Sequence, residues 1–193
     1  MAVLTPHKRL WTAALLALSV LLCFRPARAE DAAQPHLELF EEKIKAGLVY
    51  NFLKYTTWPA DIVARSNGHL RVCLLGGDTS DDYLFPLAGR TAQQYVITIA
   101  RVDDVAETKD CSLLFVHRSQ KDSLPELFQF LKGKHTLTIS DIDRFAEQGG
   151  MVELGKDDEQ VDLLINKKAV DSAGLVIQGR LLKLARLVNG RNG

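Results

Sequence analysis

Six short apolar segments, separated by helical or polar stretches, constrain the fold of this 193-residue chain more than any other feature. Each segment has the length of a strand, and residues 70–77 are dense enough in apolar side chains to indicate a buried one. Helical patterns lie between them at about residues 80–88, 124–132 and 142–148, and this order favours right-handed crossovers. The sequence therefore predicts an α/β fold, with a mainly parallel sheet and helices on both faces. The predicted strands cover residues 70–77, 95–102, 112–117, 135–140, 151–155 and 161–166.

The last two predicted strands are connected differently from the others. Only the sequence KDDEQ separates them, and five residues are too few for a helical crossover. We therefore expect a C-terminal antiparallel hairpin at one end of the sheet. Gly149 and Gly150 precede this hairpin, and we interpret them as a tight turn in which a side chain would obstruct the backbone.

Amphipathic helices are predicted near both ends of the folded part. Apolar residues recur every three or four positions from residue 37 to 55, and Pro59 prevents that helix from continuing far. The closing segment, residues 173–188, also has an apolar stripe, with basic residues at intervals of three on another face. The stripe consists of Ile177, Leu181, Leu184 and Val188, and the basic residues are Arg180, Lys183 and Arg186.

The first 29 residues resemble a secretory signal peptide. Basic residues precede an apolar run at 12–24, and Ala27 and Ala29 supply the small side chains that a signal peptidase requires. We expect cleavage after Ala29, which leaves a single exported domain over residues 30–193. An uncleaved membrane anchor is the alternative, but the run is shorter than the roughly 20 residues that span a bilayer.

The distribution of charge argues against a nucleic-acid partner. The whole chain carries 24 basic and 24 acidic residues. Four of the basic residues and none of the acidic ones lie before residue 30, so the expected mature chain has a net charge of −4. A protein held on nucleic acid by a general basic field needs the opposite sign.

Export also determines how the cysteines are interpreted. Cys23 leaves with the signal peptide, so the mature chain contains only Cys73 and Cys111. In an oxidising compartment an even pair predicts a disulfide, and two buried free thiols are the alternative. The bridge would close a loop of about 39 residues, worth roughly 4 kcal/mol in the chain-entropy model. Neither cysteine has a second Cys or His at the short spacing of a structural zinc site, so we expect no metal.

The sequence contains no pattern that predicts catalysis or a cofactor. The loop GGDTSDD at residues 76–82 follows a strand, but it lacks the GxGxxG and GxxxxGK[ST] motifs, so we interpret it as a turn. Ser140 and Asp141 are interpreted as the cap of a helix that starts at Ile142. The histidines are scattered, with neither HExxH nor GxSxG. We therefore predict no catalytic residues and no cofactor.

Aromatic residues cluster at the end of the first predicted helix. Such a cluster is usually part of the core, and the alternative is a partly exposed patch that binds a partner or a flat ligand. Pro59 turns the chain directly after Trp58, so we expect the Trp58 side chain at the surface. We expect Tyr55 to lie beside it. The predicted partner-binding residues are therefore Trp58 and Tyr55, with Arg180, Lys183 and Arg186 as a second, basic surface.

Several segments together resemble the YfiR family of periplasmic proteins. The segments KIKAGLVYNFLKYTTWP, LRVCLLGG, CSLLFV, LTISDIDRFAEQGGMVEL and INKKAVDSAGLVIQGRLLKLARLV occur in the order and spacing of that family. The resemblance covers about residues 41–188. It implies a single Rossmann-like three-layer domain in the periplasm and a homodimer.

The resemblance also implies a function. In the best-known member, the protein represses YfiN, an inner-membrane diguanylate cyclase, and YfiB, an OmpA-family lipoprotein, sequesters the repressor. By analogy, we expect YfiN-like and YfiB-like partners, and lower cyclic di-GMP and less biofilm when the protein is active. Cys73 and Cys111 match the family's strand-associated disulfide, whereas the second disulfide of that member has no counterpart between Phe145 and Leu154.

Two other functions remain open from the sequence. A small-ligand-binding sensory module for a membrane receptor or kinase would have the same fold and the same export signal. An enzyme would need a convergent cluster of acid, base or nucleophilic side chains in the folded protein.

Overall fold

The computed structural model describes residues 34–77, 79–157 and 160–190. Contacts divide the chain into two compact units, Met1–Glu38 and Leu39–Gly193. Of the first unit, only the beginning of the first helix is described. The predicted signal peptide lies outside the described residues. The sheet and its helices belong to the second unit.

The described part of the chain contains six α-helices and ten strands. The α-helices are α1 (Gln34–Tyr55), α2 (Ala60–Arg65), α3 (Leu124–Leu131), α4 (Phe145–Gln148), α5 (Lys167–Ser172) and α6 (Gly179–Leu182). The strands are β1 (Thr56–Thr57), β2 (His69–Leu75), β3 (Thr91–Ala92), β4 (Tyr95–Val102), β5 (Leu113–Val116), β6 (Leu137–Ser140), β7 (Val152–Asp157), β8 (Gln160–Ile165), β9 (Val176–Ile177) and β10 (Arg186–Leu187). Short 3-10 helices cover Thr79–Leu87, Val105–Asp110 and Arg118–Ser123.

Eight of the described strands form one sheet in the order β10-β8-β7-β6-β5-β2-β4-β3. The neighbouring strands from β4 through β2, β5 and β6 to β7 pair in parallel. Strand β8 pairs antiparallel with β7, so the predicted hairpin is confirmed. Strands β1 and β9 form a separate antiparallel pair, with Thr56 opposite Ile177. The fold is therefore mixed α/β with a mainly parallel sheet, as predicted.

Alternating side chains of the parallel strands build a core on each face of the sheet. On β2, Val72 and Leu74 belong to one apolar cluster, which also contains Phe52 of α1. Cys73 and Leu75 belong to the other, which contains residues of α3 and α4. Because successive strand residues point to opposite faces, the sheet forms the middle of three layers.

The predicted C-terminal helix is wrong. Residues 173–188 contain strand β9, helix α6 and strand β10. Gly174 adopts a left-handed backbone conformation with φ +69°, which breaks a helix, and the β-branched residues Val176 and Ile177 pair with β1. Leu184, assigned to the buried stripe, is 73% exposed. The basic residues therefore do not share one helical face.

Candidate functional site

Trp58 lies in the core, and its expected position at the surface is wrong. Its side chain is only 5% exposed and belongs to the same apolar cluster as Phe52 and Phe115. The indole Nε1 donates a hydrogen bond to the carbonyl oxygen of Ser112 at 3.1 Å. The ring gains from apolar burial while its polar atom stays satisfied. Trp58 therefore stabilises the fold, and a binding surface must be sought elsewhere.

Tyr55 and Arg180 lie together although 125 residues separate them in the chain. The Arg180 Nη1 donates to the Tyr55 hydroxyl at 3.1 Å, and the guanidinium carbon lies 4.8 Å from the centre of the tyrosine ring. The Lys54 ammonium lies 5.3 Å from the same ring. The hydrogen bond from Arg180 and the nearby Lys54 lower the pKa of Tyr55.

Backbone pairing holds this contact in place. The β1–β9 pair joins the end of α1 to the beginning of α6, and the Gln178 amide donates to the Tyr55 carbonyl at 2.9 Å. Tyr55 is half-buried and Arg180 is exposed. The two residues therefore present an aromatic ring and an adjacent cation at the surface, and we call them the Tyr55–Arg180 surface.

The other two predicted basic residues lie on different elements. Lys183 is exposed and follows α6, whereas Arg186 lies on β10. The Arg186 Nη2 contacts Asp162 Oδ2 on β8 at 2.7 Å. This ion pair satisfies the Arg186 guanidinium within the sheet, so Arg180 is the member of the basic set that joins Tyr55.

Cys73 and Cys111 are joined by a disulfide. Their Cα atoms are 5.9 Å apart, and both residues are buried in the core that packs on α3. Cys73 lies on β2, and Cys111 lies two residues before β5. The bridge therefore joins β2 to the segment that leads into its neighbour β5, inside the core.

A buried ion cluster at the carboxyl end of β6 was not predicted from the sequence. Lys45 of α1 contacts Asp141 Oδ2 at 2.8 Å and Glu41 at 3.2 Å, and Arg118 contacts the same Asp141 oxygen at 3.3 Å. Asp141 Oδ1 is buried and has no hydrogen-bond partner among the described residues. The Lys45 side chain is only 10% exposed. The cluster fixes α1 to the sheet through charge.

One pattern in the sequence could have indicated that Lys45 is buried. Lys45, Val49 and Leu53 are buried at intervals of four, so Lys45 extends the buried face of α1. The interpretation of Asp141 as a helix cap is wrong, because its carboxylate binds Lys45. Ser140 does accept a hydrogen bond from the Ile142 amide at 3.0 Å, as expected, but α4 itself begins only at Phe145.

A groove of about 580 Å³ opens between α3 and α5. We call it the α3–α5 groove. Its wall includes residues of both helices, the turn at 132–134 and the glycine turn before β7. Gly149 has φ +123°, and a Cβ atom on Gly150 would overlap the Phe145 ring. The predicted turn is therefore confirmed, and close packing on Phe145 explains its second glycine.

Within residues 34–77, 79–157 and 160–190, no three His, Cys, Asp or Glu side chains are grouped to hold a metal ion. In the same part of the chain, no helix has the length and apolar character needed to cross a bilayer.

Three solved structures of bacterial proteins are similar to this chain, all at low sequence identity. An ABC domain in complex with L-Trp from Streptococcus pneumonia is 12% identical with a TM-score of 0.46, over 62% of this chain and 55% of that one. A conserved domain protein from Vibrio cholerae is 12% identical with a TM-score of 0.47, over 67% and 60%. A substrate binding protein with adhesive properties from Clostridium difficile is 9% identical with a TM-score of 0.49, over 67% and 58%.

The family comparison is more specific. The chain spans less than two thirds of the length of those solved structures, and no curated protein matches it. The sequence profile of the YfiR/HmsC-like family, however, matches residues 42–186, from within α1 to the beginning of β10. The chain therefore belongs to the YfiR/HmsC-like family. This is a regulatory, non-catalytic family of periplasmic proteins associated with cyclic di-GMP signalling.

Proposed function

We propose that this protein is a periplasmic negative regulator that binds and inhibits an inner-membrane diguanylate cyclase. Its activity lowers cyclic di-GMP and biofilm formation. Membership of the YfiR/HmsC-like family over residues 42–186 is the observation that carries the proposal. We further propose that the cyclase is YfiN-like, that a YfiB-like lipoprotein of the OmpA family sequesters the regulator, and that the regulator is a homodimer.

The Tyr55–Arg180 surface is the part of the molecule that we assign to the cyclase. Tyr and Arg are enriched among the residues that dominate binding energy at protein interfaces. The Arg180 guanidinium already lies 4.8 Å from the Tyr55 ring centre, so little side-chain freedom is lost when a partner binds. Lys183, which is exposed next to α6, adds a second positive charge for an acidic partner.

Inhibition requires a difference in affinity between two states of the cyclase. A regulator that bound the active and inactive states equally would shift neither population. About 1.4 kcal/mol of preference for the inactive state changes the ratio of the two states tenfold. A single well-packed Tyr or Arg contact is sufficient for a preference of this size.

The test compares complementation in a strain that lacks the gene and expresses the cognate cyclase. Deletion should raise cyclic di-GMP, measured by mass spectrometry, and the wild-type gene should restore the low level. Tyr55→Ala and Arg180→Ala should fail to restore it at equal protein abundance and melting temperature. Arg101→Ala is the matched control, because Arg101 also lies over an aromatic ring, 5.2 Å from the centre of Phe85.

The possible outcomes distinguish the proposed inhibition from the assignment of the Tyr55–Arg180 surface to it. Unchanged cyclic di-GMP after deletion, with the cyclase present, would overturn the proposed inhibition. Normal complementation by Tyr55→Ala and Arg180→Ala would leave inhibition intact and would remove the Tyr55–Arg180 surface from it.

A further inference from the structure

The α3–α5 groove has the size and chemistry of a small-molecule site. We infer that it binds an organic anion with an apolar body and a carboxylate or phosphate head. This inference goes beyond the proposed inhibition and does not depend on it. The volume of about 580 Å³ lies within the usual range for ligand sites, roughly 300–1,000 Å³.

The apolar body would lie against the side chains that form the floor of the groove. Phe128, Leu131 and Met151 line it. The Phe128 ring is packed against Phe145, with 5.6 Å between ring centres, and Phe145 is fully buried. Phe145 in turn touches the glycine turn. The floor is therefore fixed by the core before any ligand arrives, which reduces the cost of binding.

The charges around the groove have one sign. Lys132 and Lys134, in the turn after α3, and Lys168, on α5, all line it. Among the described residues that line the groove, none is an aspartate or a glutamate. Because these three lysines are the only charged residues among the described ones that line the groove, they give it a positive potential that attracts an anion. Lysine is a compact point charge suited to either carboxylate or phosphate.

The buried polar residues of the wall already have partners within the protein. Asn166 Nδ2 donates to the Ala146 carbonyl at 3.0 Å, and Asn166 Oδ1 accepts from the Ala169 amide at 3.1 Å. Thr138 Oγ1 accepts from the Met151 amide at 3.0 Å. These groups build the wall, so recognition of the ligand head falls to the lysines. The lysines would thus select the charged head of the ligand, and the apolar side chains of the groove would select its apolar body.

The test measures binding to the purified mature protein by isothermal titration calorimetry, at ligand concentrations below micelle formation. Dodecanoate and dodecyl phosphate are the two probes, and they distinguish a carboxylate from a phosphate head. Either probe should bind at one saturable site. Acetate, which lacks the apolar body, and dodecyltrimethylammonium, which has the opposite charge, should bind at least about tenfold more weakly, a difference of about 1.4 kcal/mol.

Substitutions test whether the probes bind in the α3–α5 groove. Lys132→Glu combined with Lys168→Glu should weaken binding of the anionic probe at least about tenfold, and so should Ser172→Trp, which fills the groove from its rim. Lys109→Glu combined with Lys121→Glu makes the same charge change at exposed lysines elsewhere and should bind normally. Absence of binding by both probes would overturn the inference. Equal effects of the two lysine pairs, or equal binding of the cationic probe, would also overturn it.

Discussion

At the scale of single residues, Trp58 shows how a polar atom on an aromatic ring can be satisfied in a core. The indole is buried, and the Ser112 carbonyl that accepts its N–H also accepts from the Leu137 amide. Loss of the indole N–H would therefore leave that carbonyl with one partner. The apolar body of the ring, rather than its hydrogen bond, should dominate its contribution to stability.

Truncation and conservative replacement of Trp58 should separate these contributions. Trp58→Ala should lower the free energy of unfolding by about 3–5 kcal/mol, because it leaves a cavity in the core. Trp58→Phe should cost less, because much of the apolar body remains. Urea denaturation followed by far-UV circular dichroism measures both values. Equal losses for the two variants would show that the hydrogen bond dominates.

The Lys45–Asp141 pair offers a second prediction at this scale. Lys45→Met removes the more buried of the two cations that contact Asp141 Oδ2 and leaves only the exposed Arg118 beside it, so the variant should lower the free energy of unfolding by about 1–3 kcal/mol. Lys45→Met combined with Asp141→Asn should cost less than the sum of the two single variants, because each single variant already loses the Lys45–Asp141 contact. Additive losses in a double-mutant cycle would mean that the pair contributes no coupling energy.

The exposed pair Lys167–Asp171, with its 2.6 Å contact on α5, is the matched control for that cycle. Both of its side chains are about half exposed, so Lys167→Met should change stability by less than about 1 kcal/mol. A loss as large as that of Lys45→Met would contradict the role of burial.

At the scale of elements, the sequence predicted most strands but not the C-terminal segment. Apolar runs define β2 and β5 locally, because both faces of these strands are largely buried, whereas β4 begins with alternating buried and exposed residues. The C-terminal segment carries helical periodicity, yet Val176 and Ile177 find partners on β1. That pairing depends on Thr56 and Thr57, which lie far away in the sequence, and a local pattern contains no information about them.

Gly174 decides the path of that segment, and its replacement tests this point. Its φ of +69° is unfavourable for a residue with a Cβ atom, and an added Cβ would lie 3.3 Å from His135 Nδ1. Gly174→Ala should therefore lower the free energy of unfolding by about 1–2 kcal/mol. Gly179→Ala is the control, since nothing lies within 4 Å of its added Cβ and it begins α6. We expect a change within about 1 kcal/mol there, with stabilisation favoured.

At the scale of the whole molecule, the order of strands and the pairing of distant segments could not be predicted from the sequence. The chain places β4 on one side of β2 and then crosses to place β5, β6 and β7 on the other. Sequence alone predicted a parallel sheet, but not this order. The sequence predicted Tyr55 and Arg180 as candidates, but not their contact, because that contact depends on the separate β1–β9 pair. It did not predict the α3–α5 groove, whose wall is assembled from four separate parts of the chain.

Removal of the Cys73–Cys111 disulfide tests whether the cores on the two faces of the sheet act independently. The bridge lies in the core beneath α3, whereas Trp58 and the end of α1 belong to the core on the opposite face. Cys73→Ala combined with Cys111→Ala should lower the free energy of unfolding by about 2–4 kcal/mol. The proposed inhibition should persist at temperatures where the variant is folded, because Tyr55 packs against the core on the opposite face of the sheet from the bridge.

Urea denaturation measures the stability, and cyclic di-GMP in the complemented deletion strain measures the inhibition. Dithiothreitol should destabilise the wild-type protein once the buried bridge is reduced, and it should leave the double variant unchanged. Equal stability of variant and wild type would mean that the bridge does not stabilise the fold. Loss of inhibition by a variant that is fully folded would mean that the bridge couples the two faces, and that the regulator responds to the redox state of its compartment.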